Sequence, residues 1–284
     1  DLAIESFKYA LSKDDKFLSA YFNLGNSYHK KNEFDSAINS YNKALKLNPY
    51  CLETLINLSI SLQEKGDLTL AIYFSKKAIL IKPYEAILYF NLGNSCQEIG
   101  RIKTAITCYK KAIDIDKDFV NAHQNLAMAR LLLGDYEIGW KGYEWRLKSR
   151  TRRFNTYDLR TNEKLLKRTP THGDKIIILG EQGIGDNIQF MRYIPFLRYK
   201  GVDVSYASPR SLHKLIKHSE IDSNPIDIDE VNIISDRKWI HLLSLPGLIG
   251  VKPDNPIVNE KYITPPNELI LKWKQYLRSN KRPI

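Results

Sequence analysis

Two methionines and three cysteines among 284 residues leave little room for sulfur chemistry. Cys51, Cys96 and Cys108 are scattered over helical patterns without the close spacing of a metal site. They read as small, buried or half-buried side chains of a reducing compartment, which makes a cytoplasmic protein the expectation. No run of 18 or more apolar residues occurs, so no transmembrane segment is expected. The start, Asp1-Leu2-Ala3-Ile4-Glu5, lacks a basic stretch followed by an apolar core, so it does not read as a signal peptide. A Walker loop and a nucleophile elbow are also missing. Gly180, Gly183 and Gly185 have the wrong spacing for a dinucleotide fingerprint. His172, His213 and His218 show no ligand spacing, so no metal site is expected.

Basic residues are in excess, with a net charge of +11. Residues 1–150 hold 21 Lys/Arg against 17 Asp/Glu, whereas 146–175 alone hold ten against three. Such a patch either attracts a phosphate-bearing partner or is a solvated linker surface. No recognition helix, aromatic RNA-binding motif or zinc finger accompanies it, which argues against nucleic acid.

Internal repetition is the strongest pattern. Tyr21-Phe-Asn-Leu-Gly-Asn, Leu55-Ile-Asn-Leu-Ser-Ile, Tyr89-Phe-Asn-Leu-Gly-Asn and His123-Gln-Asn-Leu-Ala-Met recur every 34 residues. Ala37, Ala71 and Ala105 follow at a fixed offset, then Ala44, Ala78 and Ala112, then Pro49 and Pro83. This period and order resemble the tetratricopeptide repeat. Small residues let paired helices approach, Leu24, Leu58, Leu92 and Leu126 fill the space between them, and the prolines end each hairpin. Residues 1–148 are therefore expected to form a solenoid. It comprises a half repeat over Asp1–Leu11, full repeats from about Leu18, Leu52 and Ala86, and a divergent last repeat from Val120. The half repeat fits only a second helix, so the solenoid is expected to begin earlier in a longer protein. Trp140 and Trp145 in the last repeat suit either a docking face or a capping helix.

Each repeat places an asparagine before its leucine: Asn23, Asn57, Asn91 and Asn125. A carboxamide can bind both sides of a peptide bond without reading side chains, so these four are candidates for a peptide-binding groove. The alternative is a local hydrogen bond within the repeat.

Residues 149–173 read as a basic linker, and from 174 the pattern alternates between β and α. Strands are expected at Lys175–Leu179, Val202–Ala207, Ile226–Ile228 and Trp239–Ser244. An amphipathic helix is expected through about Arg198, another at Ser211–His218 and a last one at Asn267–Ser279. Short alternating elements argue for a parallel, doubly wound sheet over 174–284.

Two blocks make the resemblance more specific. One is Gly134-Asp-Tyr-Glu-Ile-Gly-Trp-Lys-Gly-Tyr-Glu-Trp-Arg, which closes the repeats. The other is Gly180-Glu-Gln-Gly-Ile-Gly-Asp-Asn-Ile-Gln-Phe, followed later by His241-Leu-Leu-Ser-Leu-Pro. Together they resemble bacterial repeat-fused glycosyltransferases, which are similar to heptosyltransferases and, more distantly, to O-linked N-acetylglucosaminyltransferases. The resemblance implies a solenoid followed by a Rossmann-like domain, the acceptor-side half of a GT-B fold. The donor-binding half has no counterpart in this sequence, so no cofactor is expected on the chain itself, which is expected to be inactive alone. The nucleotide-sugar donor is implied only for a full-length enzyme. The acceptor would be a glycan or a protein. A non-catalytic scaffold that binds a protein or peptide in the repeat groove is the competing expectation.

In that resemblance Asp186 matches the aspartate proposed to take a proton from the acceptor hydroxyl. On the residues alone it reads equally as the cap of a helix starting near it. Gly183 and Gly185 would bend the backbone tightly and bring amides to a ligand. Glu181 is a reserve base, and Gln182 and Asn187 are either sugar contacts or solvated turn residues. His241, at a strand end, is either structural or part of the acceptor site. Arg192 and Arg198 are either phosphate contacts or surface charges.

Overall fold

In the computed structural model, residues 2–148, 165–181, 183–233, 237–258 and 260–279 are described. Gln182, residues 149–164 of the expected linker and residues 280–284 lie outside them. The chain divides into two compact units, Asp1–Ser149 and Arg150–Ile284.

The first unit is a run of antiparallel helix pairs: α1 (Leu2–Lys13), α2 (Leu18–Lys30), α3 (Phe34–Leu47), α4 (Leu52–Lys65), α5 (Leu68–Ile81), α6 (Ala86–Glu98), α7 (Ile102–Ile115), α8 (Val120–Leu132) and α9 (Tyr136–Tyr143). A 3-10 turn, Glu144–Lys148, closes the unit. Each helix packs on the next, and α2, α4, α6 and α8 also meet one another in succession. The first helices of the repeats therefore line the inner side of the solenoid.

Two kinds of small residue set this geometry. Gly66, Gly100 and Gly134 sit in the turn inside each repeat with φ of +91°, +80° and +80°. The equivalent residue of the first full repeat is Asn32, with φ +61°, the residue type that best tolerates this conformation after glycine. Gly25 and Gly93 serve close approach instead. A Cβ on either would lie 2.5 Å from the ring of Tyr41 or Tyr109, both fully buried. In the repeat between them both partners change together: Ser59 stands for the glycine and Ser75 for the tyrosine.

In the last repeat the two tryptophans are engaged by their own unit. The Trp145 ring stacks on His123 at 3.5 Å, with Lys148 Nζ 3.7 Å from it, and Trp140 packs edge-on against Tyr136 and Tyr143.

The second unit is built on a four-stranded parallel sheet. Its strands are β1 (Lys175–Leu179), β2 (Asp203–Ser208), β3 (Ile226–Asp227) and β4 (Lys238–His241), in the order β3-β2-β1-β4. Ile176, Ile177, Ile178 and Leu179 are all buried, as expected of a central parallel strand. The helices of this unit are α10 (Ile184–Phe190), α11 (Tyr193–Tyr199), α12 (His213–His218), α13 (Leu245–Ile249) and the largely exposed α14 (Asn267–Ser279).

Three expectations need correction. The helix expected through Arg198 breaks at Met191–Arg192, because Pro195 lacks an N–H and its ring clashes with the carbonyl four residues earlier. The strand expected at Trp239–Ser244 ends at His241 and passes into a 3-10 turn, Leu242–Ser244. Residues 165–173 are not a free linker. Leu165 bridges to Trp239 beside β4, Leu166 N–H donates to the Trp239 carbonyl at 2.9 Å, and Thr169 Oγ1 donates to the Leu248 carbonyl at 2.5 Å. Asp174 accepts from Arg168 through both oxygens at 2.7 Å, and this pairing, with the Thr171 N–H, holds its carboxyl well below the usual carboxylate range.

Candidate functional site

On the inner side of the solenoid the repeated asparagines meet partners one repeat away. Asn57 Nδ2 on α4 donates to Asn26 Oδ1 on α2 at 2.8 Å, and the Tyr41 hydroxyl donates to the same oxygen at 2.8 Å. The arrangement recurs two repeats on. Asn125 Nδ2 donates to Asn94 Oδ1 at 2.8 Å, and the Tyr109 hydroxyl donates there at 3.0 Å. Burial pushes the Tyr41 hydroxyl up to about 12 and raises Tyr109 in the same way, so both remain donors at neutral pH. Each clasp therefore ties two successive first helices to the second helix between them.

A second set of bonds runs beside the clasps. His29 Nδ1 lies 2.8 Å from Ser61 Oγ, and Ser95 Oγ donates to Gln63 Oε1 at 3.3 Å. Asn26, His29, Lys30, Tyr41, Asn57 and Ile60 together line a pocket of about 260 Å³. The amide N–H groups of Asn26 and the carbonyl oxygen of Asn57 make no hydrogen bond among the described residues, so the pocket offers both donor and acceptor.

The four expected groove asparagines thus divide. Asn57 and Asn125 each commit one donor to the preceding repeat. Asn91 is 9% exposed, and its Nδ2 has no hydrogen-bond partner among the described residues. Asn23 is half-buried on α2. The residues that complete the pocket, Asn26, His29, Lys30 and Tyr41, were not singled out in the sequence. The legible signal was the second asparagine of Asn-Leu-Gly-Asn, three residues after the first.

The second cluster lies in the α/β unit. From β1 the chain runs outward through β2 and β3, then returns to β4 on the other side of β1. The carboxyl ends of β1 and β4 are the place where such a reversal opens a crevice. Leu179 and His241 are register partners there. Glu181 and His241 are 4% and 8% exposed; Glu181 Oε2 lies 3.4 Å from His241 Nδ1, and Glu181 Oε1 accepts the Leu243 N–H at 3.2 Å. The sequence named both residues without pairing them.

The remaining expectations at this turn change. The α10 helix starts at Ile184 with Gly183 as its cap, so Asp186 is the third helical residue and not the cap. Its Oδ2 lies 3.4 Å from the Gly183 N–H and accepts from it. Gly183 has extended backbone and nothing crowds a Cβ at Gly185, so neither provides the tight bend expected of it. Gly180 is the crowded one: a Cβ there would lie 2.3 Å from Asn187 Oδ1. Asn187 is not a solvated turn residue. It is fully buried, donates to the carbonyls of Glu181 and Gly183, and accepts from the Tyr206 hydroxyl at 2.9 Å. Its side-chain capacity is committed to the fold, which removes it from the ligand-facing set. Arg198 is likewise tied to Asp222 at 2.9 Å and to the carbonyls of Val204 and Ile221. Arg192 bonds the Gln189 carbonyl and the Tyr262 hydroxyl. Among the described residues no group of three or more His, Cys, Asp or Glu side chains is placed to hold a metal. No helix there is long and apolar enough to cross a membrane.

Comparison with known proteins supports the first unit. Residues 19–51 match the tetratricopeptide-repeat family profile, and residues 93–134 match a second profile described as TPR repeat. No curated protein matches the chain. Among solved structures, MamA is similar at 25% identity and a TM-score of 0.49, over 51% of this chain and 85% of that one. MamA from Desulfovibrio magneticus RS-1 is similar at 17% identity and a TM-score of 0.49, over 51% and 82%. YrrB, described as a TPR protein with an unusual peptide-binding site, is similar at 18% identity and a TM-score of 0.46, over 51% and 75%. Residues 2–148 are accordingly a helical solenoid of tetratricopeptide repeats, and the second unit carries a small parallel sheet.

Proposed function

We propose that the solenoid is a protein-interaction arm that holds an extended peptide of a partner along its inner face. The observation that carries this reading is the pocket of Asn26, His29, Lys30, Tyr41, Asn57 and Ile60. It combines uncommitted amide donors and an acceptor, which suit a peptide backbone, with one cationic and one apolar side chain at its rim. The clasps beneath it fix the amide groups before any ligand arrives, which lowers the ordering cost of binding. Selection of displayed octapeptides against the whole chain, followed by titration of a selected labelled peptide by fluorescence anisotropy, tests it. Asn26→Ala and Lys30→Glu should each weaken binding at least tenfold. Undiminished binding in both variants removes this pocket from the groove.

A second reading concerns the α/β unit and is supported by the Glu181–His241 pair at the carboxyl ends of β1 and β4. Here the unit is the acceptor side of a glycosyltransferase, with a Rossmann-like fold. Asp186 takes the proton from an acceptor hydroxyl on a glycan or protein, and Glu181 orients His241 beside it. A nucleotide-sugar is the donor, bound elsewhere in a full-length enzyme. In a polypeptide that carries both halves, Asp186→Ala should abolish transfer while acceptor binding persists. Unchanged turnover sinks that role for Asp186.

A further inference from the structure

The clasp pattern fails at one step, and the failure is local. Asn26 and Asn57 are 31 residues apart, as are Asn94 and Asn125. The same spacing between the two clasps pairs Ile60 with Asn91. The tyrosine that reaches Asn26 and Asn94 from 15 residues on is here Ser75. A serine is too short to span that distance, and an isoleucine offers no acceptor. Both buried polar groups left behind, Asn91 Nδ2 and Ser75 Oγ, are without a hydrogen bond among the described residues. A buried donor without a partner is an unfavourable state that a bound acceptor relieves.

We infer that this middle step, between α4 and α6, is where the groove reads its partner. A main-chain carbonyl of the extended peptide takes, for Asn91, the acceptor place that Asn26 takes for Asn57. An apolar side chain next to that carbonyl covers Ile60, which is half-buried and also lines the neighbouring pocket. The inference rests on the peptide-arm reading and narrows it. The clasped steps on either side have their inter-repeat bonds made and hold the groove in shape around the sequence-independent main-chain contacts, and the unclasped step supplies the affinity that discriminates between sequences. Neighbouring helices lie about 10 Å apart, and an extended chain advances about 3.3 Å per residue. The apolar residue of the peptide should therefore sit about three positions from the residue held in the Asn26–Asn57 pocket.

The experiment repairs the step with the sequence's own pattern. Ile60→Asn supplies the missing acceptor, so it should raise the Tm of the whole chain by about 3 °C. It should also weaken a peptide selected on the wild-type groove about tenfold, and the selected peptides should share an apolar residue that Ile60→Asn no longer favours. The complementary variant, Asn94→Ile, opens the next clasp and orphans Asn125. It should lower the Tm yet leave binding of the same peptide within about twofold. If Ile60→Asn raises the Tm but leaves affinity unchanged, the middle step is not where the peptide is read, and the groove reading still stands. If Ile60→Asn fails to raise the Tm, Asn91 was not short of a partner and the inference falls. If no displayed peptide binds the wild-type chain, both readings fall together.

Discussion

Each unit contains an asparagine side-chain oxygen that accepts from a buried tyrosine hydroxyl, and the two arrangements serve opposite ends. In the solenoid, Tyr41 donates to Asn26, which is half-buried and keeps its own N–H groups uncommitted at a pocket. In the α/β unit, Tyr206 donates to Asn187, which is fully buried with every hydrogen-bonding group engaged. The same two residue types line a pocket in one place and form an internal knot in the other. The difference is the count of polar partners within reach. Asn187 sits beneath the Glu181–Gly183 turn, whose carbonyls take both of its donors, whereas Asn26 opens on the groove. A carboxamide in a loop-like stretch is therefore no guide to a ligand site until its partners are counted.

The largest test of this contrast is removal of the carboxamides. Asn187→Leu leaves the Tyr206 hydroxyl and the Glu181 carbonyl buried without their partner, and should cost about 3 kcal/mol. Asn57→Leu, at a half-exposed position, should cost about 1 kcal/mol or less. Hydrogen exchange at β1 and α4 amides under increasing urea reads the two units separately, and equal losses would erase the distinction. A smaller effect separates the repeats themselves. Gly25→Ala drives a methyl into the Tyr41 ring and should cost about 2 kcal/mol although alanine is the better helix former. Ser59→Ala, where no tyrosine opposes it, should stay within about 0.5 kcal/mol. The smallest effect is in alkali. Burial raises the Tyr41 hydroxyl to about 12 against about 10 in an unfolded chain. Its contribution is complete below pH of about 10 and is lost as pH rises from there through about 12. Tyr41→Phe should cost about 1 kcal/mol at neutral pH, and should flatten the alkaline decline seen in pH-dependent thermal melts.

Most of the solenoid was legible because its rules are local and repeated. Period and composition place the starts of α2, α4, α6 and α8 at Leu18, Leu52, Ala86 and Val120. The break before Pro195 was equally open to reading, since it follows from one ring and one carbonyl. The clasps were not, because Asn26 and Asn57 are each unremarkable alone and meet only across a repeat boundary. The role of Asn187 was hidden for a related reason: it lies on the short helix α10, its partner Tyr206 comes from strand β2, and one buried polar residue beside a glycine turn leaves no periodic trace. The pairing of Glu181 with His241 depends on β1 and β4 being neighbours, which requires the strand order and not the strands alone. The bridge from Leu165 to Trp239 lay in a stretch with no periodicity at all.

That bridge has a mechanical consequence. Among the described residues, Leu165 and Leu166 meet the sheet at its outer edge, where the Leu166 N–H bonds the Trp239 carbonyl. Strand β1, by contrast, is held on both sides from Ile176 to Leu179. Tension reaching this unit along the chain from upstream would peel the edge contact first and one bond at a time. Shearing β1 would require a full ladder on each side to part together. The edge contact thus behaves as a sacrificial tether, and pulling on the connector leaves the register between Leu179 and His241 undisturbed until that tether has gone.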